Sequence, residues 1–130
     1  MNEKKNLTTE ETFALAVQNH QKNNLQVAEK LYKKVLNIDP DHFKSIHLLG
    51  TLSAQIKNLD QAKQLLNKAI TINPNFSDAH YNLGNVLKEL KEYKKEMACY
   101  EKAIQINPNF ASAHNNLGNV LKELKEYKKA

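Results

Sequence analysis

The chain has 130 residues and a net charge of +5, with 19 basic and 14 acidic side chains, five His, one Cys and no Trp. That length fits one globular domain or one segment of a repeat array, and it can bury a core without disulfides or metal. The single Cys99 excludes an internal disulfide and a cysteine-based zinc site, no apolar run nears the ~18 residues of a membrane span, and three Gly and three Pro remove most Gly-rich phosphate loops.

In chain order, residues 1–8 form a polar tail with charge but no apolar stretch. No signal peptide is read there, and a cytoplasmic location is expected. Thr8 and Glu11 have capping-box spacing and open a first helix over about 9–22. Further helices are predicted at about 25–38, 43–56, 59–72, 77–90, 93–106 and 111–124. The apolar spacing is helical, as in Leu83, Val86, Leu87 and Leu90. Pro40, Pro74 and Pro108 end the second, fourth and sixth helices, because proline lacks the N–H and disfavours helix just before it. Asp41, Asn75 and Asn109 follow as candidate N-caps of the next helices.

Those prolines are 34 residues apart, and Leu49-Gly50, Leu83-Gly84 and Leu117-Gly118 keep the same period. Residues 78–96 and 112–130 differ at three of 19 positions, Asp78/Ser112, Tyr81/Asn115 and Glu96/Ala130, which chance does not give. Each unit is a helix–turn–helix, and stacked units bury a core that none could bury alone. With Leu49-Gly50, Ala62, Leu66, Ala69 and Pro74 in one unit, and Leu83-Gly84, Tyr100, Ala103 and Pro108 in the next, the chain resembles the tetratricopeptide repeat (TPR) family. Leu15-Ala16, Ala28, Tyr32, Val35 and Pro40 fill the same pattern at the front. The resemblance implies an all-α fold, a right-handed α-solenoid with repeats at 9–42, 43–76 and 77–110 and a partial fourth at 111–130. The small residues Gly50, Gly84, Gly118, Ala28 and Ala62 are placed where two helices approach within about 8–10 Å.

Two departures stand out. Glu96 holds the slot of Ala28, Ala62 and Ala130, where an unpaired carboxylate is costly to bury. It is expected to reach solvent, pair with Lys91, Lys94 or Lys95, or tilt its helix, and its replacement by Ala is expected to raise the melting temperature. The fourth unit stops at Ala130, early in its second helix, leaving the apolar side of Leu117, Val120, Leu121 and Leu124 partly uncovered. Either the chain is a piece of a longer array or that edge meets another chain, including a second copy of itself.

In such arrays the first helices line the concave, extended binding surface. Helical spacing puts Asp78, Tyr81, Asn82, Asn85, Lys88 and Glu89 on that face, and Ser112, Asn115, Asn116, Asn119, Lys122 and Glu123 in the next unit. Asn82/Asn116 and Asn85/Asn119 form two rows of amides, each a donor and an acceptor, suited to an extended peptide's backbone. These rows resemble the peptide-binding ladder of protein O-GlcNAc transferase repeats. The bland alternative is that Asn, present 17 times, is simply abundant and solvated here. The candidate peptide site is therefore Asn82, Asn85, Asn116 and Asn119, with Tyr81, Asn115, Lys88 and Lys122 tuning specificity. Toward the N-terminus the face is more apolar, with Phe13, Ala14, Val17 and His20, then His47, Leu48 and Thr51. It could hold apolar peptide side chains or be covered by the tail.

The carboxylate clamp of chaperone-binding repeats is not expected, since Phe13/Val17 and His47/Thr51 stand where its first Lys/Asn pair would. No catalytic motif, cofactor site or metal site is read. His80 and His114 recur at one packing slot without a third ligand, and Cys99 beside Tyr100 reads as a packing residue. All 19 basic residues are Lys, which lacks the planar fork for bidentate phosphate recognition. The Lys clusters 88/91/94/95 and 122/125/128/129 are interleaved with Glu89, Glu92, Glu123 and Glu126, a solvated edge rather than a nucleic-acid groove. The expected function is a non-catalytic scaffold binding an extended peptide or protein segment. The alternative is the N-terminal, substrate-presenting arm of a larger glycosyltransferase of the O-GlcNAc transferase kind, or of a sulfotransferase-like enzyme, with catalysis beyond residue 130.

Overall fold

The computed structural model describes residues 6–129, and the side chains of residues 6–126. Among these residues there are seven helices and no strand: α1 (Thr9–Gln21), α2 (Leu25–Ile38), α3 (Phe43–Gln55), α4 (Leu59–Ile72), α5 (Ser77–Glu89), α6 (Tyr93–Ile106) and α7 (Ala111–Lys129). The first six agree with the sequence expectation to within one residue. α1 starts on a complete capping box: Glu11 N–H donates to Thr8 Oγ1 at 3.0 Å, and Thr8 N–H to Glu11 Oε1 at 2.9 Å.

The even-numbered helices bury one narrow stripe at spacings of four and three residues: Ala28, Tyr32 and Val35; Ala62, Leu66 and Ala69; Glu96, Tyr100 and Ala103. α3 and α5 are covered on two sides and bury more, as with Ala79, His80, Leu83, Gly84, Val86 and Leu87 of α5. Each helix packs on the one before it, and α3 also touches α5. The core therefore runs through the units as a continuous seam. Ala62 and Leu66 of α4, for example, pack with Leu83, Val86 and Leu87 of α5. This is an α-solenoid.

Close approach explains two of the three glycines. A Cβ on Gly50 would lie 3.0 Å from Leu66 Cγ, and one on Gly84 would lie 2.6 Å from Tyr100 Cε1. At Gly118 the same atom meets nothing within 4 Å among the described residues.

The turns inside the helix pairs share one device. Asn24 N–H reaches back to Asn19 O, Asn58 N–H to Ser53 O and Glu92 N–H to Leu87 O, at 2.8, 2.8 and 2.9 Å. The residue before each is left-handed, with φ of 65° at Asn23 and Lys57 and 60° at Lys91. These are Schellman motifs, which satisfy otherwise orphaned carbonyls.

The turns between units correct one expectation. Asp41 and Asn75 do not cap α3 and α5. His42 is the N-cap of α3, its ring accepting from Ser45 N–H at 3.2 Å, and Phe76 occupies that place in α5 without a side-chain bond. The motif's other Asx folds the turn instead: Asp39, Asn73 and Asn107 accept from the N–H of Asp41, Asn75 and Asn109 at 3.2–3.3 Å. Straddling a proline, this is an Asx turn, which orients the chain before the helix begins.

Candidate functional site

The first helices of neighbouring units lie side by side, and Asn82, Asn85 and Asn116 fall on the seam between them. Asn82 Nδ2 reaches back one unit to His47 Nε2 at 3.1 Å and Thr51 Oγ1 at 3.4 Å. Asn116 repeats this 34 residues later, its Nδ2 reaching Tyr81 Oη at 3.3 Å and Asn85 Oδ1 at 3.0 Å. Asn85 Oδ1 also accepts from the Tyr100 hydroxyl at 2.7 Å. Asn82, Asn85 and Asn116 are half-buried and form a row pinned across units.

The pinning uses one side of each amide. An amide has two N–H donors and an oxygen with two lone pairs. Among the described residues, no bond engages Asn82 Oδ1, Asn116 Oδ1 or the Asn85 N–H groups. Asn115, Asn119, Lys88 and Lys122 are exposed and Tyr81 is half-buried. The eight predicted residues thus fall into two sets. Tyr81, Asn82, Asn85 and Asn116 are brought together, while Asn115, Asn119, Lys88 and Lys122 stand in solvent.

Sequence reasoning missed an aromatic pair at each junction. Phe13 meets His42 with ring centroids 5.0 Å apart, His47 meets Phe76 at 4.9 Å, and Tyr81 meets Phe110 at 4.8 Å. Positions 13, 47 and 81 and positions 42, 76 and 110 are each 34 apart, so the signal lay in the repeat register. These contacts hold the seam edge on which the asparagines sit. Since its Nε2 takes the Asn82 amide proton, His47 is a neutral acceptor in that bond. Burial pushes its pKa below the ordinary histidine value, with the Asp78 carboxylate opposing.

At the apolar end, Phe13 packs on Tyr32, and His20 bridges Tyr32 Oη at 2.9 Å and Gln55 Oε1 at 2.6 Å. Leu7 forms a shallow hollow with Glu11, Ala14, Leu15, Val17 and Gln18, about 530 Å³ in volume. Residues 1–5 of the tail, expected as one cover for this end, lie outside the described residues.

Glu96 neither reaches solvent nor pairs with Lys91, Lys94 or Lys95 among the described residues. It is 1% exposed, and its Oε1 has no hydrogen-bond partner among the described residues. Burial raises its pKa, and the Glu123 carboxylate adds to the rise. The Tyr100 hydroxyl and the Lys88 ammonium pull the other way. Of the lysines expected beside it, Lys95 pairs with Glu92 at 3.3 Å. The recurrent histidines lock turns: His80 Nε2 and His114 Nε2 donate to the carbonyls of Pro74 and Pro108, each at 2.8 Å. Burial pushes the Cys99 thiol up to about 11, which leaves it an unreactive thiol at neutral pH. Among the described residues, no group of three or more His, Cys, Asp or Glu could hold a metal ion, and no helix is long and apolar enough to cross a membrane.

Paired helices on a 34-residue register, small residues at the crossings and a seam of first helices define a helical-repeat protein. The sequence matches the TPR repeat description over residues 50–91 and 84–125, and the tetratricopeptide repeat description over residues 20–70. The chain belongs to the tetratricopeptide repeat family. No curated protein sequence matches it significantly. Among solved structures, a mutant O-GlcNAc transferase from Thermobaculum terrenum is similar at 28% identity and a TM-score of 0.81; the match covers 87% of this chain and 22% of that one. MamA is similar at 26% identity and a TM-score of 0.88, covering 91% of this chain and 69% of that one. The first TPR of Spaghetti, bound to the HSP90 peptide SRMEEVD, has a TM-score of 0.87 over 90% of this chain and 93% of that one. Its identity is 18%, so the likeness is one of fold.

Proposed function

We propose that this chain is a non-catalytic protein-interaction scaffold that binds an extended peptide or protein segment along the seam of its first helices. The observation that carries this reading is the pinned amide row. Asn82, Asn85 and Asn116 are held by bonds to the neighbouring unit, yet keep acceptors and donors free. A side chain already immobilised loses little rotamer freedom on binding, so its bonds to a peptide backbone are made at low entropic cost. Asn119 extends the row, and Asn115, Lys88 and Lys122 flank it in solvent, where the lysines favour an acidic side chain on the ligand. Tyr81 offers a half-buried ring between the two halves of the face.

The test is selection of a displayed random-peptide library on the full chain, then titration of the selected peptides against variants. Asn82→Ala with Asn116→Ala is expected to weaken binding about tenfold or more, at roughly one to two lost hydrogen bonds. Asn119→Ala, which disturbs no side-chain bond among the described residues, is expected to give a smaller loss. Peptides that bind the double variant unchanged would overturn this site.

A second reading has its own support. The 28% identity to part of an O-GlcNAc transferase favours a substrate-presenting arm of a larger glycosyltransferase, with the same amide row holding the substrate's backbone. The intact mass of the protein made by its source cell separates the two. A mass near 14.9 kDa fits the scaffold alone, and a much larger one fits the arm.

A further inference from the structure

The bonds that pin the three seam asparagines leave each of them one kind of hydrogen-bonding group. Asn82 commits both Nδ2 hydrogens, to His47 Nε2 at 3.1 Å and Thr51 Oγ1 at 3.4 Å. Asn116 commits both of its own, to Tyr81 Oη at 3.3 Å and Asn85 Oδ1 at 3.0 Å. Asn85 is engaged from the other end. Its Oδ1 accepts from the Asn116 amide and, at 2.7 Å, from the Tyr100 hydroxyl, which fills both lone pairs. What remains is an acceptor on Asn82, a pair of donors on Asn85 and an acceptor on Asn116. Among the described residues, the buried side-chain atoms without a partner are Ser45 Oγ and Glu96 Oε1. The three unbonded groups of the row are therefore open to solvent.

We propose that this fixed polarity selects the ligand: an extended, proline-free segment that brings two backbone N–H groups to Asn82 and Asn116 and a carbonyl to Asn85. The inference rests on the peptide-binding reading of the row and adds which backbone groups are read. An amide free at both ends grips one peptide residue by its N–H and C=O together. Here each amide offers one end, because a neighbour in the fold holds the other. His47 and Tyr81 occupy the same slot in successive units, and each takes a hydrogen of the amide 35 residues on. Turning Asn85 over would set its N–H groups against those of Asn116, so the polarities of these two are coupled. Proline has no N–H, and a proline facing Asn82 or Asn116 leaves that oxygen without a donor. The row thus excludes proline-rich segments, which offer carbonyls alone.

The experiment takes peptides selected from the random library on the full chain and titrates them against two aspartate variants that add the same charge one turn apart. Asn85→Asp keeps an oxygen toward Tyr100 and Asn116 but puts an oxygen outward where N–H groups stood. It is expected to keep the melting temperature and weaken binding about tenfold or more. Asn82→Asp keeps the outward oxygen, and His47 Nε2 becomes the donor to the inner one. It is expected to bind within about threefold of the unchanged chain. Methylating the peptide's backbone nitrogens one at a time is expected to weaken binding at two positions. Against Asn82→Ala, one of those two penalties is expected to vanish. Equal weakening by the two aspartates, with Asn82→Ala plus Asn116→Ala also weak, would leave the peptide site in place and overturn the polarity. Binding unchanged by every variant would overturn the site itself, and the inference with it. If Asn85→Asp does not fold, the methylation series decides, and penalties that all survive Asn82→Ala would overturn the proposal.

Discussion

A carboxylate where the other repeats have alanine shows how a single residue can work against its own fold. Glu96 is enclosed beside Tyr100 with one oxygen unpartnered, and a buried charge of that kind shifts its pKa or destabilises the protein. The sign follows from the raised pKa. The unfolded chain releases this proton near pH 4.5 while the folded protein still holds it, so stability falls as pH rises from there through the folded value. Glu96→Ala is expected to raise the melting temperature, with a larger gain at pH 7 than at pH 4.5, measured by thermal unfolding at both. A gain independent of pH would mean that the slot is limited by volume and not by charge. Asn82 shows a different limit of sequence reading: its place on the face was legible from spacing, but not that His47 and Thr51 would take its amide.

At the scale of elements, the helix ends carry the lesson. The Schellman turns require a positive φ, and this sequence supplies lysine at two of the three. A side chain there costs roughly 1–2 kcal/mol, against about 0.5–1 kcal/mol for the extra freedom of an unfolded glycine. Lys91 makes no ion pair among the described residues, whereas Lys57 bonds Glu89 at 3.0 Å. Lys91→Gly is therefore expected to stabilise by up to about 1 kcal/mol, and Lys57→Gly by less. Denaturant unfolding of the two variants checks the order. Helix spans were readable because proline marks the ends of α2, α4 and α6 and the apolar stripe repeats on the same register. The cap residues were not, because Asp39 and Asp41 look equally able to cap, and only the turn geometry assigns the bond to Asp39.

At the scale of the whole molecule, one substitution made at equivalent sites reads out position in the array. Gly84→Ala forces a methyl to within 2.6 Å of a ring that is itself fully enclosed, and overpacking of this kind costs about 1–3 kcal/mol. Gly118→Ala meets nothing within 4 Å among the described residues, so the helix keeps the gain of about 1 kcal/mol that alanine has over glycine. The pair is expected to shift the melting temperature in opposite directions. Equal shifts would mean that α7 is covered in solution.

The sequence by itself determined the period, the helix pairs and the buried stripe, because each rests on spacing along one chain: proline every 34 residues, small and apolar side chains at fixed helical offsets. It also put Asn82, Asn85 and Asn116 at positions that the fold brings together. It did not determine which asparagine atoms remain free, how the aromatic pairs join the units, or whether Lys-Glu-Leu-Lys-Glu-Tyr turns or continues as helix. Those features depend on the neighbour that packs against each segment. The same six residues turn at 88–93, where α6 lies across α5, and are helical at 122–127, where a Cβ on Gly118 would meet nothing within 4 Å among the described residues. A neighbour in space is what the tertiary structure adds, and spacing along one chain does not contain it.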